Sequence, residues 1–138
     1  MTKPSEPTTT QFEHAYEDDP VRSETMVDVI KEALLSKKAV DITVLDVSGL
    51  TTLADFFVVC SGNSDVQIKA LADAVEDDVR EKIGDRVWKK EGVHARSWII
   101  LDFVNVVVHV MSKEKRDFYG IERMWNDAVI TYVTDQDP

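Results

Sequence analysis

The segment Ser61-Gly62-Asn63-Ser64, between an apolar run and a stretch of helical period, is the first place where this sequence could do chemistry. A strand that ends in such a turn before a helix N-terminus leaves backbone N–H groups pointing outward, and these can cradle a phosphate. The same residues also suit an ordinary strand-to-helix turn with a serine cap, and that plainer reading is favoured. Neither G-x-x-x-x-G-K-S/T nor G-x-G-x-x-G occurs, so no nucleotide fingerprint supports the cradle. Asp46, Asp55 and Asp102 stand at the ends of expected strands, where two of them could converge on a metal ion. Nucleotidyl transfer needs acids that face one metal pair, usually alternating on a single strand. Asp41 and Asp46 are five apart and point to opposite faces, and Asp102 stands alone among Trp98, Ile99, Ile100, Leu101 and Phe103. These acids read as turn and cap residues.

The remaining reactive types are sparse. His109 lies inside Val106-Val107-Val108-His109-Val110 and reads as a hydrogen-bonded strand residue, while His94 and His14 fall in a loop and near the N-terminus without zinc-site spacing. Cys60 is the only cysteine, which excludes an intrachain disulfide and a multi-cysteine metal site; within Phe56-Phe57-Val58-Val59-Cys60 it reads as a small buried residue. No catalytic, cofactor-binding or metal-binding residue is assigned, and the enzyme reading has little behind it. Trp98 alternates with Ile100 on one sheet face, and Tyr119, Met124 and Trp125 sit near the last expected helix. Such residues are frequent binding hot spots and equally ordinary core residues; periodicity alone does not choose between the two.

The elements that must position these residues follow from period and punctuation. Met26, Val27, Ile30 and Leu34 share one face of a helix expected near 24–37. A β-branched strand over 40–46 follows, then a loop marked by Gly49 and Thr51-Thr52, and a strand over 56–60 buried on both faces. Ile68, Leu71, Ala72, Val75, Val79 and Ile83 form the stripe of a long helix over 65–83, with Gly84 at its end. A short edge strand over 86–90, strands over 98–103 and 106–111, and a final helix around 118–128 complete the order αββαβββα. The fold class is therefore α/β, a single domain with a mixed sheet of about five strands flanked by helices. The gap Val104-Asn105 is short enough for a tight hairpin, yet valine resists positive φ, so either the turn is longer or it is not type I′. Residues 1–22 are acidic and poor in apolar side chains and are expected to form a flexible tail; 23–133 form the folded domain, and 134–138 should fray.

The 138 residues suit one core. Sixteen basic against 26 acidic residues leave a formal charge of -10, which opposes long-range attraction to nucleic acid. A basic protein partner, even one seated on RNA, is the easier physics. No stretch approaches the roughly 20 apolar residues of a membrane span, and no signal or transit pattern is evident, so the cytoplasm is the expected compartment.

Several pieces, taken in order, carry a family resemblance: Lys38-Ala39-Val40-Asp41-Ile42, Leu45-Asp46-Val47, Leu50-Thr51, and Asp55 through Ser64. They continue with Gln67, Glu91-Gly92, Trp98 through Asp102, Val107-Val108-His109-Val110 and Arg116 through Trp125. Over about residues 24–128 the chain resembles the ribosomal silencing factor (iojap) family. The resemblance implies a nucleotidyltransferase-like fold without the catalytic acids, and no cofactor. It also implies binding to the large ribosomal subunit through large-subunit ribosomal protein fourteen, which blocks subunit joining and represses translation under nutrient limitation. Carried over position by position, the docking surface should include Trp98, Tyr119, Ile121 and Glu122, with Ile121 as a buried anchor and Glu122 as a charge partner for Lys or Arg. Trp125 is placed in the core. No membrane and no direct sequence-specific nucleic-acid contact are expected, and self-association into a homodimer is left open. The family usually has Gly-Asp where this chain has Val104-Asn105. The alternative function is a nucleotidyltransferase-like enzyme or a nucleotide-binding protein.

Overall fold

Runs of β-branched residues become strands and runs of helical period become helices in the computed structural model, which describes residues 20–134. The order is α1 (Pro20–Ser36), β1 (Val40–Asp46), β2 (Phe56–Gly62), α2 (Asp65–Lys82), β3 (Lys89–Glu91), β4 (Trp98–Asp102), β5 (Val106–Ser112), α3 (Lys113–Tyr119), α4 (Ile121–Met124) and β6 (Val129–Val133). One six-stranded sheet has the spatial order β3-β4-β5-β2-β1-β6. Only β2 and β5 are parallel; β1 with β2, β1 with β6, β3 with β4 and β4 with β5 are antiparallel. The expected α/β class with a mixed sheet holds.

Three details differ from the sequence reading. A sixth strand, β6, pairs with β1 from Ile42 opposite Val133 to Asp46 opposite Val129. The final helix expected around 118–128 is instead two short helices, Lys113–Tyr119 and Ile121–Met124, the first starting earlier and the second ending short of 128. Gly120 adopts φ 58 and ψ 51 between them, a left-handed conformation that breaks the helical path and that glycine enters at little cost. Finally, α1 begins at Pro20, so residues 20–22, expected outside the folded part, form its first turn. The rest of the expected acidic tail lies outside the described residues, as does 135–138.

The sheet separates two apolar clusters. On one face Ile30, Leu34, Val58, Ile68, Leu71, Val75, Leu101, Val108 and Val110 are sealed between α1, α2 and the strands. Gly62 makes that packing possible: a Cβ there would sit 2.8 Å from Ile68 Cγ1, so a side chain would push α2 off the strand. Cys60 belongs to this cluster; it is fully buried, and burial pushes its thiol up to about 12. On the other face a smaller cluster gathers Leu45, Val47, Ala54, Val59, Met111 and Ile121, with Phe57, Trp98, Val107, Trp125 and Ile130 packed at its margin. Among the described residues the helices over this second face are the short α3 and α4, with Val47 and Ala54 of the β1–β2 loop beside them.

The β4–β5 turn resolves the question raised by Val104-Asn105. Val104 does take a positive φ, 78°. The Asn105 N–H donates to the Phe103 carbonyl at 3.0 Å, a γ-turn centred on Val104, inside the two-residue gap that the Phe103 N–H closes on the Val106 carbonyl at 2.9 Å. The strain is held from both sides. Asp102 Oδ1 accepts the Val104 N–H at 2.8 Å, and the Asn105 carbonyl accepts the Asp55 and Phe56 N–H groups at 2.7 and 3.2 Å.

Candidate functional site

Strand alternation puts Trp98 and His109 on the lightly covered face, where the β4–β5 register leaves them diagonal neighbours: Trp98 opposes Met111 and Ile100 opposes His109. The indole Nε1–H donates to His109 Nδ1 at 3.1 Å, so the neutral imidazole carries its proton on Nε2. Burial holds His109 down to about 4, opposed in part by the Glu122 carboxylate, and the ring is uncharged at neutral pH. Phe57 meets His109 and Trp125 edge-on, at 5.9 and 5.3 Å between centroids.

Tyr119 reaches this row from α3. Ser112 caps that helix by accepting the Lys115 N–H at 3.1 Å, and seven residues later Tyr119 lies 4.8 Å from the Trp98 ring. Phe118 stacks edge-on against Tyr119 at 4.9 Å, and Lys115 Nζ stands 5.8 Å from the tyrosine centroid. Tyr119 is 45% exposed and Phe118 77%, whereas Trp98 is half-buried beneath them. The result is a solvent-facing aromatic ridge with a fixed base.

The base is a buried arginine. Arg116 donates from Nε and Nη2 to Glu122 Oε2 at 2.8 and 2.6 Å, from Nη1 to Ser61 Oγ at 3.1 Å, and from Nη2 to Thr43 Oγ1 at 2.9 Å. One guanidinium therefore joins α3 to β1, β2 and α4, and closes the bend at Gly120 as a paired and hydrogen-bonded charge.

Of the four docking positions expected from the resemblance, Trp98 and Tyr119 are in ring contact. Ile121 is buried in the second apolar cluster, and Glu122 faces Arg116 within the chain. Glu122 thus already holds an internal cation, and its side chain stays partly exposed beside it. The sequence reading passed over Phe118, Arg116 and the Trp98–His109 bond. Two adjacent aromatics at the end of a seven-residue helix were a usable signal for Phe118, since so short a helix cannot bury both; the bonds of Arg116 span up to 73 positions and leave no local pattern.

The other chemical candidates have structural employment. Ser64 Oγ accepts the Gln67 N–H at 3.1 Å, and Gln67 Oε1 accepts the Asn63 N–H at 2.6 Å, so one N–H of the presumed cradle is filled from within. Asp46 Oδ1 accepts from the Ser48 N–H and hydroxyl, and Asp55 Oδ2 accepts the Ser23 hydroxyl at 2.8 Å. Among the described residues no group of three or more His, Cys, Asp or Glu is placed to hold a metal ion, and no helix is long and apolar enough to cross a membrane.

Comparison with known proteins adds to this geometry. Residues 20–138 match the family model described as "Ribosomal silencing factor during starvation". The ribosomal silencing factor of Bacillus subtilis is 37% identical over 108 residues, 78% of this chain and 91% of that protein. The chloroplastic protein Iojap of Zea mays is 34% identical over 94 residues, 66% of this chain and 39% of that longer protein. Among solved structures, a Chromobacterium violaceum protein superposes with a TM-score of 0.73 at 35% identity, over 83% of this chain and 96% of that one.

Proposed function

The chain belongs to the family of ribosomal silencing factors, and from that premise we propose that it docks on the large ribosomal subunit through large-subunit ribosomal protein fourteen. Occupying that surface blocks joining of the small subunit and lowers translation when nutrients are short, without catalysis. The site of action on this reading is the cytoplasm. The observation that carries the docking surface is the aromatic ridge of Trp98, Tyr119 and Phe118: large, partly exposed rings, two of them on the helix that Arg116 ties to β1, β2 and α4. Rigid aromatics lose little entropy on binding and dominate interface energies. The formal charge of -10 favours a basic ribosomal protein as the surface that meets them.

In this arrangement Tyr119 and Phe118 are direct contacts and Trp98 supports and borders them. Ile121 anchors the corner from inside, and Glu122 positions it. The homodimer left open by the sequence would compete for the same ridge if it formed there.

Sucrose-gradient sedimentation with purified subunits tests the reading. The expected result is co-migration with the large subunit and fewer joined ribosomes. Trp98→Ala and Tyr119→Ala, checked for folding by near-ultraviolet dichroism, should each weaken binding to isolated protein fourteen roughly thirty-fold, the effect of about 2 kcal/mol. Folded variants that bind like wild type would remove the ridge from the interface. Saturable binding of a nucleotide with Mg²⁺, lost in Asp46→Ala, would instead support the nucleotidyltransferase-like alternative.

A further inference from the structure

Beyond Trp98 the same sheet face dips into a groove of about 470 Å³, within the size range of specific side-chain and ligand sites. Its walls are almost wholly apolar: Phe57 and Val107 on the sheet, Val104 at the strained turn, Leu53 and Trp88 at the rim. Leu53 and Trp88 are 79% and 69% exposed, large apolar surfaces that no part of the described chain covers. The single carboxylate in the lining is Asp102. Its Oδ1 accepts the Val104 N–H, and it has no cationic partner among the described residues. Lys89, directly opposite in the β3–β4 register, is turned to Glu91 at 3.4 Å.

We propose that this groove receives an arginine side chain of the basic protein partner, its stem along Phe57, Val104 and Val107, its guanidinium between the Trp88 ring and the Asp102 carboxylate. The inference rests on the docking reading above and extends that surface by one pocket. Long basic side chains bury their methylenes on apolar walls while their charge stays at the rim. A planar guanidinium also stacks on an indole face and binds a carboxylate, which a rounder ammonium does less well. The sign of the groove is set by Asp102, because His109 at its inner end is uncharged at neutral pH. That carboxylate would repel a phosphate, so a nucleic-acid backbone is a poor occupant. The Nε2–H of His109 has no acceptor among the described residues and is available to a main-chain carbonyl of the incoming segment.

The groove is continuous with the ridge, since His109 lines the first and accepts from Trp98 in the second. Val104 fits this picture. A β-branched residue at φ 78 is strained, and backbone strain concentrates where a site needs a particular side chain in place.

Two measurements on the full chain test the proposal. Acetyl-arginine-amide, titrated by NMR, should shift the Trp88 indole N–H and the Val104 and Val107 methyl signals saturably. Asp102→Asn should remove that saturation, and acetyl-norleucine-amide should not reproduce it. Asparagine keeps an oxygen for the Val104 N–H, so the turn survives this change. Asp102→Asn should also weaken binding to isolated protein fourteen about tenfold and flatten its salt dependence. Equal shifts with norleucine, or arginine binding unaffected by Asp102→Asn, would overturn the proposal. So would arginine binding that Asp102→Asn abolishes while affinity for protein fourteen stays unchanged. If the wild-type chain fails to bind protein fourteen at all, the docking reading falls with it; the acetyl-arginine-amide titration then decides alone whether the groove holds arginine.

Discussion

The two faces of the sheet are built on opposite rules. The face under α1 and α2 is aliphatic and closed, with Ile30, Leu34, Leu71, Val75, Leu101 and Val108 all but inaccessible. The other face is covered by eleven helical residues in two pieces, seven in α3 and four in α4, and it keeps aromatics, a part-buried ion pair and an open groove. Closure gives the first face its stability. Incomplete coverage leaves the second face the surface proposed for docking, and hydrogen bonds donated by Arg116 tie its short helices to the sheet.

Substitutions should separate the two faces. The largest effect belongs to the closed one: Leu71→Ala opens a cavity in the fully buried cluster and should cost about 2–5 kcal/mol, read as a lower urea midpoint with an unchanged slope. If the loss is under about 1 kcal/mol, the contrast between the faces is weaker than drawn. On the open face, Arg116→Met strands Glu122 and the hydroxyls of Thr43 and Ser61. The pair is only partly out of water, so the expected cost is about 2–3 kcal/mol, with binding lost further because the Gly120 corner loosens. Faster amide exchange confined to 113–124 in the folded variant would mark that loosening; uniform exchange would argue against it.

A pH effect on stability should come from His109. Its folded value, about 4, lies below its ordinary 6.5, so the unfolded chain takes up the proton first as pH falls. The associated stability is complete above about pH 6.5 and is lost towards pH 4. His109→Gln should flatten this part of the stability profile; an unchanged profile would assign it to other groups. The smallest effect is a gain. Val104→Gly relieves the strained φ and, after the added freedom of the unfolded chain, should stabilise by about 1 kcal/mol while lowering affinity for acetyl-arginine-amide. A destabilised glycine variant would mean that the valine side chain packs well enough to outweigh its strain.

Much of the closed face was legible beforehand. The helical stripes of α1 and α2, the continuous apolar run of β2 and the glycine after α2 are local signals, and each appears where its period puts it. Gly84 closes α2 by donating to the Val79 and Arg80 carbonyls, as its position implied. The second face was read less well. The strand β6 was missed because Val129, Ile130, Thr131, Tyr132 and Val133 lie mostly exposed on an edge, with no alternating pattern to announce them. The last helix was drawn too long because Gly120 sits among good helix formers, and only its left-handed φ shows that the chain turns there.

Along the chain, composition and period determined the α/β class, the acidic charge that disfavours nucleic acid, the buried thiol and the turn role of Asp46 and Asp102, though not the long-range bond of Asp55 to Ser23. The ordered motifs pointed to the family and, within it, to Trp98 and Tyr119. Tertiary structure decided how those two meet, which side chain answers Glu122, and that an apolar groove with one free carboxylate opens beside them. The reason is physical. Helix and strand periods are written between residues a few places apart, whereas a guanidinium reaching β1, β2 and α4, or a groove shared by three strands and three loops, exists only after distant segments have packed.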